Sequence, residues 1–271
     1  MSQAGNIADY ELVRSLGEGN HGEFFLAVPP ARLPVDAEHV AVKILSGPTT
    51  EDAFRRATRE LRLFASVRSP YLVSLFDAGQ EGGRFFYSMS YFPRGSLADP
   101  AQPLTRVETR RAVAHASRAA HALHEAGIVH RGIKPANILL EEDGAKLSDL
   151  GLAQVVTPGL SVTGIGPVES LEYVDPGTLR GEPASRASDV WSLGATLHRA
   201  LAGEGVYGEI SRTDVGLAVR QVLTSSPTLS DTLTSGEAAL VRTCLAADPA
   251  DRPATAEELA VCIEALPPDA A

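Results

Sequence analysis

The segment His130-Arg131-Gly132-Ile133-Lys134-Pro135-Ala136-Asn137 gathers an imidazole, a guanidinium, an ammonium and a carboxamide within eight residues. Its third position is glycine, which supplies no functional group. Gly17-Glu18-Gly19-Asn20-His21-Gly22 is a G-x-G-x-x-G run, which alone is a weak pointer to a backbone that cradles phosphate. Phe24-Phe25-Leu26 follows it, and after an insertion from Pro29 to Glu38 comes Val40-Ala41-Val42-Lys43-Ile44. A carboxylate stands in Asp149-Leu150-Gly151. Of 24 basic residues only three are lysine: Lys43, Lys134 and Lys146. A compact ammonium and a wide guanidinium fork do not substitute for each other at phosphate oxygens. Coincidence is the plain alternative for so small a sample.

Particular elements must position these groups. Val40, Val42 and Ile44 alternate with Ala41, Lys43 and Leu45, the period-two pattern of a strand. Ala41 and Lys43 then share one face about 6.6 Å apart. Thr49-Thr50-Glu51-Asp52 opens like a helix cap, and Phe54, Ala57, Leu61 and Phe64 recur at helical spacing with Glu60 beside that stripe. Arg106 to Ala126 is rich in alanine, lacks Gly and Pro and stops at Gly127, which predicts a long helix leading into the His130 segment. Ala145 to Leu147 reads as a short strand before Asp149. Further helices are predicted from Asp189 to about Leu201, from Ser235 to Ala246, and from Thr255. In the last, Glu258 is the capping partner and Leu259, Cys262, Ile263 and Leu266 form the buried face. A sheet with one helix, a linker near Ser90 to Arg94 and a helical remainder make an α+β fold.

Two more signatures follow in order, Asp189-Val190-Trp191-Ser192-Leu193-Gly194 and Asp248-Pro249-Ala250-Asp251-Arg252-Pro253. With the glycine run, the Lys43 strand, the His130 segment and Asp149-Leu150-Gly151 at matching spacing, the chain resembles the bacterial family of eukaryotic-like Ser/Thr protein kinases from about Tyr10 to Leu266. The resemblance is to a pseudokinase, because the family's catalytic-loop Asp is Gly132 here. It implies a bilobal protein-kinase fold: an N-lobe over residues 1–93 with an antiparallel sheet plus one helix, and a mainly helical C-lobe over 94–271.

The resemblance also implies roles. The backbones of Gly17, Gly19 and Gly22 would cover the phosphates of ATP, Lys43 would hold the α and β phosphates, and Glu60 would pair with Lys43. Asn137 and Asp149 would bind Mg²⁺, and Lys134 would face the γ phosphate. The adenine edge would meet the backbone of Ser90 and Phe92, next to Met89 as gatekeeper, with Ala41 against the base and Leu16 and Leu139 as roof and floor. The bland alternatives are a hairpin turn for the glycines, a loop cap for Asp149 and a solvated surface glutamate for Glu60. Keeping lysine at positions 43 and 134 in so arginine-rich a chain favours a working phosphate site. His130, Leu150, Phe64 and Leu75 match the residues that stack between lobes, and Asp189 the residue that ties the catalytic loop down.

Three departures bear on activity. Gly132 removes the general base, a loss of about 10²- to 10⁴-fold in rate. Phe24 stands where the family usually has valine over the adenine, and it would either stack on the base or fill the pocket. Gly177, in Leu171-Glu172-Tyr173-Val174-Asp175-Pro176-Gly177, replaces the glutamate that pairs with the arginine represented by Arg252, so a substitute acceptor is expected, Glu182 or a backbone carbonyl. Ser170 keeps the hydroxyl expected to bridge to Lys134. Asp175, normally a small residue in the family, is considered as a displaced carboxylate base, a role disfavoured by the close approach a base requires.

Bulk properties set the remaining bounds. At 271 residues and 44% hydrophobic, the chain suits one two-lobed domain. A net charge of −10 argues against nucleic-acid and anionic-membrane surfaces. With neither an 18-residue apolar stretch nor a signal-peptide pattern, a cytoplasmic location without membrane insertion is expected. Cys244 and Cys262 are read as buried thiols without metal spacing. Three functional readings are carried: a pseudokinase that binds ATP and Mg²⁺ as a signalling regulator or phospho-dependent scaffold, a weakly active Ser/Thr kinase, and a nucleotide-free interaction module. For the first, the loop from Gln154 to Ser170 offers Thr163 as a phosphosite for a cognate Ser/Thr kinase, to be read by a phosphothreonine-binding domain.

Overall fold

A computed structural model of the chain describes residues 5–19, 22–47, 49–149, 168–211 and 213–267. They form two compact units, the first comprising the described residues up to Ser66 together with Val73–Phe92, and the second residues 67–72, 93–149 and the described remainder.

The first unit is built on the predicted alternation. Strands β1 (Asn6–Ile7), β2 (Tyr10–Gly19), β3 (Gly22–Val28), β4 (Val40–Leu45), β5 (Leu75–Glu81) and β6 (Arg84–Ser90) pair antiparallel in the order β1-β2-β3-β4-β6-β5. β4 is central and all six of its residues are buried. Val40, Val42 and Ile44 join Ile7, Tyr10, Leu12, Ala27 and Phe86 in one apolar cluster. Leu33 and Val35 pack on that cluster, so the insertion after β3 lies back on the sheet. Arg32 pins it, donating to Asp9 at 2.6 Å and to Asp77 at 2.6 Å. Helix α1 (Glu51–Ser66) buries Ala53, Ala57, Leu61 and Phe64; Phe54 is half-buried, its ring edge-on to Phe85 at 5.6 Å.

The second unit is helical. Helix α2 (Arg106–Glu125) starts in a capping box between Thr105 and Glu108. Strands β7 (Ile138–Glu141) and β8 (Gly144–Leu147) form a hairpin, preceded by a 3₁₀ turn over Pro135–Asn137. After a second 3₁₀ turn over Val168–Tyr173 come α3 (Pro176–Leu179), α4 (Arg186–Ala202), α5 (Val215–Thr224), α6 (Ser235–Cys244) and α7 (Ala256–Glu264). α4 is buried without interruption from Ser188 to His198, as befits a helix surrounded by protein. Gly194 permits this, since a Cβ there would lie 2.4 Å from the Cβ of Cys244 on α6. The α+β arrangement expected from the sequence is thus present, an antiparallel sheet with one helix in the first unit and a mainly helical second unit. One expectation fails: Cys244 is buried but Cys262 is exposed, because the buried stripe of α7 runs through Ala256, Leu259, Ala260 and Ile263 and turns Cys262 outward.

Candidate active site

The catalytic-type loop is held from below by one carboxylate. Asp189, on the first turn of α4, accepts from the backbone N–H of His130 at 2.8 Å and of Arg131 at 3.0 Å, and lies 2.7 Å from Nε2 of His124 on α2. These bonds sustain Arg131 at φ 65, a left-handed backbone that a non-glycine residue adopts at a cost. His130 is fully buried and accepts the N–H of Gly132 at Nδ1 (3.3 Å) while Nε2 donates to the carbonyl of Ser148 (3.1 Å). Both bonds fit a neutral imidazole, and burial holds its pKa below the usual value.

Gly132 occupies the loop's third position with backbone bonds intact and no side chain. Its carbonyl accepts from Nδ2 of Asn137 at 2.7 Å. That bond commits the amide nitrogen and leaves Oδ1 as the atom with which Asn137 can meet a cation. Nζ of Lys134 donates to Oγ of Ser170 at 3.2 Å, as expected of that pair. Ser148, fixed by two bonds to the carbonyl of Asn137 (2.9 and 3.1 Å), leads to Asp149 at φ 62, a second strained non-glycine residue. Leu139 lies half-buried on β7, opposite Lys146. An amide oxygen and a carboxylate suit Mg²⁺, which takes few protein ligands and completes its shell with water and phosphate oxygens.

The first unit holds another group of the residues expected from the sequence. Phe24 pairs with Lys43 across β3 and β4, Leu26 with Ala41, and Ala41 with Met89 across β4 and β6. Lys43 is only 3% exposed, and its Nζ lies 4.8 Å from the centroid of the Phe24 ring. Gly17 adopts φ 121 where the β2–β3 register shifts, and Gly22 is forced by closeness, since a Cβ there would lie 2.1 Å from the carbonyl oxygen of Ile44. Two of the three glycines thus have a structural reason of their own. Gly19 ends β2 paired with Gly22, and Leu16, Glu60, Ser90 and Phe92 are half-buried, with Met89 at 3%. Thr163 and Leu150 lie outside the described residues.

Of the two acceptors expected for Arg252, backbone carbonyls serve and Glu182 does not; Asp175 takes its place. Asp175 receives Nη1 at 2.7 Å and Nη2 at 3.4 Å, with Ala187 and Ala246 offering carbonyls at 2.9 Å and the Trp191 ring lying 5.0 Å away. Glu182 instead stays at the surface, 3.7 Å from Arg180. Asp175 also accepts from the N–H of Gly177 at 3.0 Å, so both its oxygens are engaged and it is no displaced base. Sequence reasoning missed this partner because the carboxylate sits two residues before the usual place. It also missed His124, which stood unmarked in an alanine-rich helix.

The protein kinase domain family matches residues 10–261. The chain belongs to that family. Among curated proteins, this kinase domain is 32% identical to the serine/threonine-protein kinase PknJ of Mycobacterium tuberculosis over 272 residues, covering 95% of this chain and 45% of PknJ. It is 34% identical to PknK of the same organism over 261 residues, covering 93% of the chain and 23% of PknK. With PknB of that species it shares 32% over 273 residues, 96% of the chain and 43% of PknB. The kinase domain spans less than half the length of these relatives.

Proposed function

We propose that this kinase domain is a pseudokinase that binds ATP with Mg²⁺ and acts as a signalling regulator or phospho-dependent scaffold. The observation that carries the reading is Gly132: the loop keeps its Asp189 anchor, its Asn137 clasp and its Lys134–Ser170 bond, yet lacks the group that would orient and deprotonate an acceptor hydroxyl. Asp175, tied to Arg252, offers no rescue. In the proposed complex Lys43, paired with Glu60, holds the α and β phosphates under the backbones of Gly17, Gly19 and Gly22, and Lys134 faces the γ phosphate. The backbone of Ser90 and Phe92 takes the adenine edge beside Met89, with Ala41, Leu16 and Leu139 around the ring. Asn137 and Asp149 hold the Mg²⁺, which when bound neutralises phosphate charge. Calorimetric titration with Mg-ATP tests this. Saturable heat that Lys43→Met or Asp149→Ala abolishes is expected, and no heat at millimolar nucleotide would leave only a scaffold.

A slow Ser/Thr kinase is the second reading, favoured by the Lys134–Ser170 bond and by the relatives' names. Radiolabelled transfer that disappears in Lys43→Met would establish it. Under the first reading the domain works in the cytoplasm, and a cognate Ser/Thr kinase phosphorylates Thr163 for a phosphothreonine-binding domain. Mass spectrometry after incubation with such a kinase locates the site. Among the described residues no helix is long and apolar enough to cross a membrane.

A further inference from the structure

The geometry points to Phe24 as an internal competitor for the ammonium that the proposed site offers to phosphate. This rests on the nucleotide-binding reading and adds to it how that site is regulated. Phe24 and Lys43 are direct register partners on neighbouring antiparallel strands, so their side chains leave the sheet on the same face. The ring lies over Nζ, 4.8 Å from its centroid, within the range at which an aromatic face attracts a cation.

Burial strengthens the contact. Lys43 is 3% exposed, and attraction between a cation and a ring grows as water is removed. Residue 43 sits on the central, wholly buried strand, so its stem has little freedom to swing aside. A polyphosphate oxygen that draws on the same ammonium competes with the ring for it. The base, in contrast, loses nothing to this contact. Phe24 therefore weakens the hold on phosphate while leaving adenine recognition as it is, and a ligand or partner that turned the ring would raise nucleotide affinity. Cation–ring attraction corresponds to a factor of about 3 to 30 in affinity, according to how dry the contact is.

The test uses Phe24→Leu, which keeps an apolar residue in β3, beside the wild-type chain. With only three lysines, ¹³C-lysine-labelled protein gives three resolvable Cε–Hε signals, and Lys43→Arg assigns one of them. In the wild type, the Lys43 signal is expected upfield by ring current and returns to the ordinary position in Phe24→Leu. Calorimetry then compares inorganic tripolyphosphate, Mg-ATP and adenosine. The variant is expected to bind tripolyphosphate and Mg-ATP about 3- to 30-fold more tightly, with adenosine unchanged. Weaker adenosine and Mg-ATP binding in the variant would mean that the ring stacks on the base, and overturns the proposal. An unshifted Lys43 signal in the wild type overturns it as well, with no nucleotide involved. A shifted signal with unchanged tripolyphosphate affinity sinks the competition while leaving the ring contact. Failure of Mg-ATP alone, with tripolyphosphate tightened in the variant, removes the nucleotide reading and keeps the competitor.

Discussion

Two substitutions relative to the family's pattern sit at residue scale, and the structure treats them differently. At Gly132 the N–H and carbonyl stay in place between His130 and Asn137, while Asp175, the carboxylate weighed as a stand-in, is bound to Arg252. Gly177 is a compensated loss, because Asp175 takes over the guanidinium of Arg252. The side chains of that pair are 2% and 8% exposed, so removing one partner strands a buried charge. Asp175→Ala is expected to destabilise by about 3–5 kcal/mol. Glu182→Ala, at the surface, should stay within about 0.5 kcal/mol. Urea midpoints of the two variants separate these; equal losses would mean that Arg252 does not depend on Asp175.

At the scale of elements, what held was whatever has a period or a cap. Helix α2 begins at the predicted Arg106 and ends one residue before the predicted Ala126, and β4 and β8 follow their apolar patterns. α4 starts at Arg186, three residues before the predicted Asp189, because Ser185 and Ser188 close a capping box in which serine replaces the usual Glu. α5 went unread, since its buried residues are only Ala218 and Val222, too few to show a stripe. The site divides along the same line. The contact of Lys134 with Ser170 was legible from the motifs; partners that meet only in space, such as Asp175 with Arg252, were not.

One further element-scale contact is stronger than its sequence signal. Glu237 caps α6 through the N–H of Thr234 (2.9 Å) while Arg106, at the start of α2, donates to it through Nε (2.8 Å). Its side chain is fully buried; burial alone would raise its pKa, yet Arg106 and the cap hold it below the usual range. Glu237→Ala is expected to cost about 3–5 kcal/mol, against about 1 kcal/mol for the surface cap Thr105→Ala. Equal chemical-denaturation losses would reduce Glu237 to an ordinary cap.

For the whole molecule, three histidines set an acid limit. Burial lowers the pKa of His115, His130 and His198 below the imidazole value of 6.5. Above that value the folded and unfolded chains are both neutral at these sites and stability is flat. As pH falls below 6.5 the unfolded chain takes up protons that the folded chain refuses, so stability drops until the folded values are reached. The urea midpoint should therefore be level from pH 8 to 7 and decline between 6.5 and 5; a midpoint that rises on acidification would contradict this. The proposed function, a domain that binds Mg-ATP without a catalytic base, turns on residue 132. Gly132 does not adopt a left-handed backbone, so an aspartate is free of conformational strain there. The decisive measurement is the initial rate of radiolabel transfer from saturating Mg-ATP to a serine-containing acceptor protein, wild type against Gly132→Asp. A gain of about 10²- to 10⁴-fold in the variant is expected. A wild-type rate equal to that of the variant would show that the chain never lacked a base.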